Sequence, residues 1–174
     1  MKFLSVLLVA LLTMGSAWAA DLQSTNLFSD QLNHFAKGAR EISAGAAVLF
    51  SPFGSPTGRE AINYAGPLVQ YGYMLNTSDP DAACPGNFEV LGELFGAGIF
   101  KGTGNYVANT TLWLRYNFIP PQSKIVPYLQ LGAGVTLTDI DRKVLGQAFN
   151  FNLNVATGLR YFLRPDFSLN AEYR

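Results

Sequence analysis

The sequence predicts an all-β chain, an antiparallel up-and-down transmembrane β-barrel, and three observations carry that prediction. Hydrophobic residues make up 49% of the chain and charged residues 14%, whereas ordinary soluble domains are roughly 25% charged. After the N-terminus, no segment approaches the ~18 consecutive apolar residues that a transmembrane helix needs. The apolar residues instead alternate with polar ones over long runs. These runs exceed the ~5–6 residues of a soluble strand and match the ~9–11 that cross a bilayer at a tilt. Successive strand side chains point to opposite faces, so each run has one face for lipid and one for a lumen.

Residues 1–20 read as a secretory signal peptide. Lys2 is the positive n-region, Phe3 to Met14 is apolar but short, and Ala17-Trp18-Ala19 is a small-x-small cleavage site. The alternative, a short membrane anchor, lacks a basic stop-transfer flank. Cleavage removes Lys2 and leaves 11 basic against 12 acidic residues. Such a balance offers no electrostatic footprint for nucleic acid. Residues 21–40 form a polar N-terminal segment with scattered Leu27, Phe28, Leu32 and Phe35. His34, the only histidine, lies there and is expected on the surface in water, because nothing near it in sequence resembles a nucleophile or metal partner.

Residues 41–174 are assigned to the barrel. The first run, Glu41 to Phe50, sets Ile42, Ala44, Ala46 and Val48 against Glu41, Ser43 and Gly45. Breakers Pro52, Gly54, Pro56 and Gly58 mark the loop after it. The second run, Ala61 to Leu75, puts Val69, Tyr71, Tyr73 and Leu75 outward; its Pro67 lacks a ladder donor and is expected at a bulge or near an edge. Asn87 to Phe100 carries Phe88, Val90, Leu94 and Phe100 on one face, Glu89 and Glu93 on the other. Asn105 to Phe118 alternates most cleanly, with Leu112, Leu114 and Tyr116 opposing Trp113, Arg115 and Asn117. Val126 to Thr138 and Phe149 to Leu163 follow, then a turn at Arg164-Pro165-Asp166 and a last run to Arg174. About seven strands are therefore present. Single-chain bacterial barrels have an even number, so the barrel is expected to be incomplete, with a last strand or more missing.

Arg115, Arg160, Glu89, Glu93 and Glu172 all fall on the polar parity. A charge on the lipid face near the midplane costs about 2–4 kcal/mol, so these residues belong in the lumen. There, Arg115 and Arg160 are expected as ion-pair partners of the glutamates rather than as substrate ligands. Strand-end aromatics (Phe50, Phe88, Phe100, Tyr106, Phe118, Phe149, Phe162, Phe167, Tyr173) suit interfacial girdles. Cys84 is the single cysteine, so no intrachain disulfide forms; a free loop thiol is expected, intermolecular pairing being the alternative. No metal-ligand spacing, phosphate loop or nucleotide fingerprint occurs, so neither a cofactor nor a metal is expected.

From about Gly86 onward the chain resembles the PagL-like lipid A deacylase family, the acyloxyacyl hydrolases. The stretches that carry the resemblance are Leu114-Arg115-Tyr116-Asn117-Phe118, Val126 to Val135, Gly146 to Phe151, Gly158-Leu159-Arg160-Tyr161-Phe162 and Leu169 to Arg174, in that order. The resemblance implies an eight-stranded outer-membrane barrel that hydrolyses an ester-linked acyl chain of lipid A in lipopolysaccharide. It implies a serine made nucleophilic by a histidine base, a carboxylate that orients the base, and oxyanion donors. In the family this machinery resembles a His-x-Ser-Asn motif placed just after the Glu-Tyr-Arg strand. The corresponding strand here ends at Arg174, so no residue is carried over as catalytic. The implied partners are lipopolysaccharide and outer-membrane lipid. Two other readings fit the composition: a non-catalytic outer-membrane barrel, structural or weakly pore-forming, and a soluble periplasmic lipocalin-like binder. The last requires Glu89, Glu93, Arg115 and Arg160 to coat the outside.

Overall fold

In a computed structural model of the chain, the described residues are 12–18, 34–50, 61–79, 81–120, 123–140, 148–164 and 166–174. They form eight strands: β1 (Leu12–Trp18), β2 (Arg40–Leu49), β3 (Asn63–Met74), β4 (Gly86–Lys101), β5 (Tyr106–Phe118), β6 (Ile125–Thr138), β7 (Phe149–Arg164) and β8 (Phe167–Tyr173). Each pairs antiparallel with its sequence neighbour, and β1 also pairs with β8, which closes the barrel.

The seven strands read from the sequence are β2 to β8, which form one curled sheet. The eighth, β1, comes from the apolar stretch read as a signal peptide. Seven positions of β1 pair with β2 and four with β8. The physical reason is edge satisfaction: an open sheet edge carries unpaired N–H and C=O groups, and an apolar run laid between two edges pairs both.

The alternation survives intact in three dimensions. Ile42, Val69, Leu94, Leu112, Leu131 and Leu153 face outward and are exposed, while Glu41, Gln70, Glu93, Thr111, Gln130 and Asn170 face inward and are buried. The barrel is thus apolar outside and polar within, the reverse of a lipocalin-like binder. On the outer face, one rim carries Phe88, Tyr116 and Phe118 in edge-to-face contact, with centroids 4.9 Å apart at each step. The opposite rim carries the pairs Phe50–Phe100 at 6.1 Å and Phe149–Phe151 at 5.3 Å.

Two aromatics expected in the girdles lie elsewhere. Phe162 points inward and is buried, because it follows Arg160 by two residues and shares its face. Tyr173 pairs with Thr157 near the middle of β7, so it sits in the aliphatic band rather than at a rim. Pro67 departs from expectation too. It lies inside β3, a strand paired on both sides, and the register shift in β3 falls instead at Asn63/Tyr64. Ala65 pairs with Gly98 and Leu68 with Phe95, while Gly66 and Pro67 pair only toward β2. The missing proline donor is absorbed by this gap in the ladder, where Gly66 lies against the Gly96 carbonyl too closely for any Cβ.

Apolar side chains cluster at both mouths. Ala47, Leu68, Phe95, Ala97, Val107 and Ile140 pack at one end. Phe35, Met74, Ile119, Val126 and Phe162 pack at the other. The charged lumen lies between them.

Candidate functional site

The inward parity of five strands brings seven charges together. Glu89 is the hub. Its Oε2 lies 3.6 Å from Arg115 Nη1 and 3.4 Å from Arg160 Nη2, and accepts from Asn117 Nδ2 at 3.0 Å. Arg160 reaches on to Glu41 at 3.0 Å, and its Nε donates to Asn170 at 3.2 Å. Arg115 approaches Glu172 at 3.7 Å, and its Nε donates to Gln130 at 2.7 Å. The Tyr128 hydroxyl donates to Glu172 at 3.0 Å. Arg174 donates from Nε to Glu172 at 2.6 Å and, through both Nη atoms, grips the two oxygens of Glu93. Gln70 Nε2 also donates to Glu93, at 2.7 Å.

Room for these side chains comes from inward-facing glycines. A Cβ on Gly72 would strike the Glu89 carboxylate, one on Gly158 the Tyr128 ring, and one on Gly132 the Trp113 ring. Each large group therefore lies over a neighbouring strand's bare backbone. Guanidinium groups stack on the same aromatics: Arg115 sits 4.1 Å from the Tyr128 centroid and Arg174 5.0 Å from that of Trp113. Trp113, Arg115, Tyr128, Leu91 and Arg160 are each no more than 1% exposed. An eight-stranded interior is only wide enough for side chains to fill it, and these fill it. That argues against a water-filled pore through this lumen.

The sequence placed Arg115, Arg160, Glu89, Glu93 and Glu172 correctly, and they meet as ion pairs. It passed over Glu41, Tyr128 and Arg174 as members of the network. Their signal was the same parity: Glu41 shares a face with Ser43, whose Oγ donates to it at 2.9 Å, and Arg174 shares a face with Glu172.

His34 is a correction. Expected in water, it is 5% exposed, packed edge-on against Phe162 at 5.2 Å and Phe35 at 6.1 Å. The segment before β2 turns back over the barrel mouth, where Gly38 takes a positive φ of 88° and its N–H donates to the Met74 carbonyl at 2.9 Å. This inward fold carries Phe35 and His34 onto the lumen aromatics. Cys84 is exposed and free in its loop, and its carbonyl accepts the Tyr116 hydroxyl at 2.8 Å.

At the other rim, Asp139 ties the β4–β5 turn to the end of β6. It accepts from the Asn105 N–H at 2.8 Å, Asn105 Nδ2 at 2.7 Å and the Tyr106 N–H at 3.0 Å. Those donors favour the carboxylate and hold Asp139 below its ordinary pKa of 3.8.

An antiparallel barrel with an aliphatic belt, aromatic rims and a filled, charged lumen belongs to the class of small membrane-spanning β-barrels. Within that class, residues 89–174, from β4 to Arg174, match the family model of the lipid A 3-O-deacylase (PagL). That match, over about half of the chain, supports a PagL-like family assignment. No curated protein and no solved structure matches the chain.

Proposed function

We propose that this protein is an outer-membrane lipid A deacylase-like barrel that cleaves an ester-linked acyl chain of lipopolysaccharide. The match of residues 89–174 to the deacylase family carries the reading. The aliphatic belt supports it, since a barrel embedded beside its lipid substrate meets the ester without extracting it from the bilayer. Residues 1–20 direct the chain out of the cytoplasm in this reading. Their removal takes β1 out of the seam, and the β2 and β8 edges then require another strand.

Mass spectrometry of lipid A from cells with and without the gene tests the proposal. Cells lacking it should retain one more acyl chain per lipid A. Identical lipid A in both strains would overturn the enzymatic reading and leave the second one, a structural barrel. The filled lumen favours a structural role over a pore for that alternative.

A further inference from the structure

The lipid-facing wall is not smooth. Where β3 and β4 lose two ladder pairs at Gly66 and Pro67, the outer surface sinks into a groove of about 410 Å³. Its floor is made of Pro67, Gly96 and Ala108, its sides of Val69, Leu94 and Leu137. A Cβ built on Gly96 would meet nothing within 4 Å, so the hollow opens directly outward. The lining residues come from β3, β4, β5 and β6, and three interstrand spacings of ~4.8 Å make it about 14 Å across.

We propose that this groove seats one acyl chain of a membrane lipid. Its place decides the class of occupant: it lies in the aliphatic belt between the two aromatic rims, where the surroundings are acyl chains. Thr110, among the lining residues, carries a hydroxyl of the kind that can hydrogen-bond a lipid ester or hydroxyl group on a largely apolar surface. A second copy of the chain fits less well. Groove against groove leaves a void, because a two-fold contact needs a self-complementary patch. Among the described large apolar side chains the most exposed are Phe151 and Leu153, at 82% and 89%, on β7 outside the groove. Inserting them would make a head-to-tail contact, not a closed pair. The site is separate from the proposed ester hydrolysis and stands whether or not that activity is found.

The test is native mass spectrometry of the detergent-folded chain titrated with dipalmitoyl phosphatidylethanolamine. Three proteins are compared: the natural chain, Gly96→Phe to fill the groove, and Val155→Phe as a belt change away from it. A second filling variant, Ala108→Leu, covers the case in which Gly96→Phe does not fold, with folding checked by heat-modifiable migration. The natural chain and Val155→Phe should retain one lipid at equal concentrations. The filled variants should need at least fivefold more. Equal retention by all the folded proteins, or no retention by the natural chain, would overturn the proposal. So would loss of a dimer instead of a lipid on filling, which would make the groove an interface between copies.

Discussion

Replacing Arg160 with methionine keeps most of its volume and removes its charge. Arg160 is fully buried and sits between Glu41 at 3.0 Å and Glu89 at 3.4 Å. The two glutamates are not affected alike. Glu89 keeps Arg115 at 3.6 Å and the amide of Asn117 at 3.0 Å. Among the described residues, Glu41 keeps the hydroxyl of Ser43 at 2.9 Å and a longer-range attraction to Arg115. The substitution therefore strands one buried carboxylate, and breaking a buried pair from one side costs about 3–5 kcal/mol. Neutralising the stranded partner should recover part of the loss. Glu41→Gln combined with Arg160→Met should be less destabilised than the sum of the singles by ~1–3 kcal/mol, the range for residues in one network. The assay is urea unfolding in lipid vesicles followed by Trp113 fluorescence, read as a double-mutant cycle. A single-variant cost below about 1 kcal/mol, or strict additivity in the cycle, would refute the idea that Arg160 neutralises Glu41.

Three further outcomes follow from the same structure. Gly72→Ala should destabilise by about 1–3 kcal/mol, because its methyl group must displace the Glu89 carboxylate from the hub; pairing it with Glu89→Ala should remove most of that penalty, measured in the same vesicles. Leu112→Arg, on the exposed aliphatic belt, should cost about 2–4 kcal/mol and Phe100→Arg at the rim only ~0–1 kcal/mol, so equal costs would contradict the assigned belt. Asp139 has a folded pKa below its ordinary 3.8, so the stability it contributes is present above that value and is lost as pH falls through the folded pKa; amide exchange at Asn105 and Tyr106 should accelerate over that acid range in the natural chain and be already fast at neutral pH in Asp139→Ala.

Much of this fold was legible because a membrane barrel writes its two faces directly into alternate residues. In β5, Leu112, Leu114 and Tyr116 could only face lipid once Arg115 was assigned inward, and the structure places them so. What stayed hidden was what alternation does not encode. Parity places Phe162 on the lumen face, but nothing local to β7 reveals that His34 and Phe35 fold back to meet it across the mouth. Pro67 reads as an edge or bulge by its own chemistry, yet the sheet absorbs it because Gly66 and Gly96 let two backbones approach. The candidate site was half legible for the same reason. Parity grouped the charges, but which glutamate serves as hub depends on the empty space above Gly72, a cross-strand relation that neither strand's own sequence contains.

The lumen network raises a question of purpose, since buried ion pairs often contribute little net stability relative to a packed apolar core. Register offers a physical answer. The side-chain period of a strand is two, so a slip of one residue exchanges its lumen and lipid faces. A slip of β5 would turn Arg115 into the bilayer and a slip of β7 would do the same to Arg160, each at about 2–4 kcal/mol near the midplane. The vacated lumen partners would lose their counter-charges as well, which leaves Glu41 and Glu89 buried beside leucines. An all-apolar lumen would impose no such penalty, because outward Leu114 and inward Leu91 would be nearly interchangeable. Glycines reinforce the choice: Gly72, Gly132 and Gly158 lie beneath Glu89, Trp113 and Tyr128 only in the observed register. The charges therefore act chiefly against misregistered barrels. Replacing Arg115 and its carboxylate partners Glu89 and Glu172 together with apolar residues of similar volume should leave stability within about 1–4 kcal/mol while lowering the yield of the single heat-modifiable folded form. A natural chain that gave no better folding yield than this triple variant would remove register control as the reason for the Arg115 part of the network.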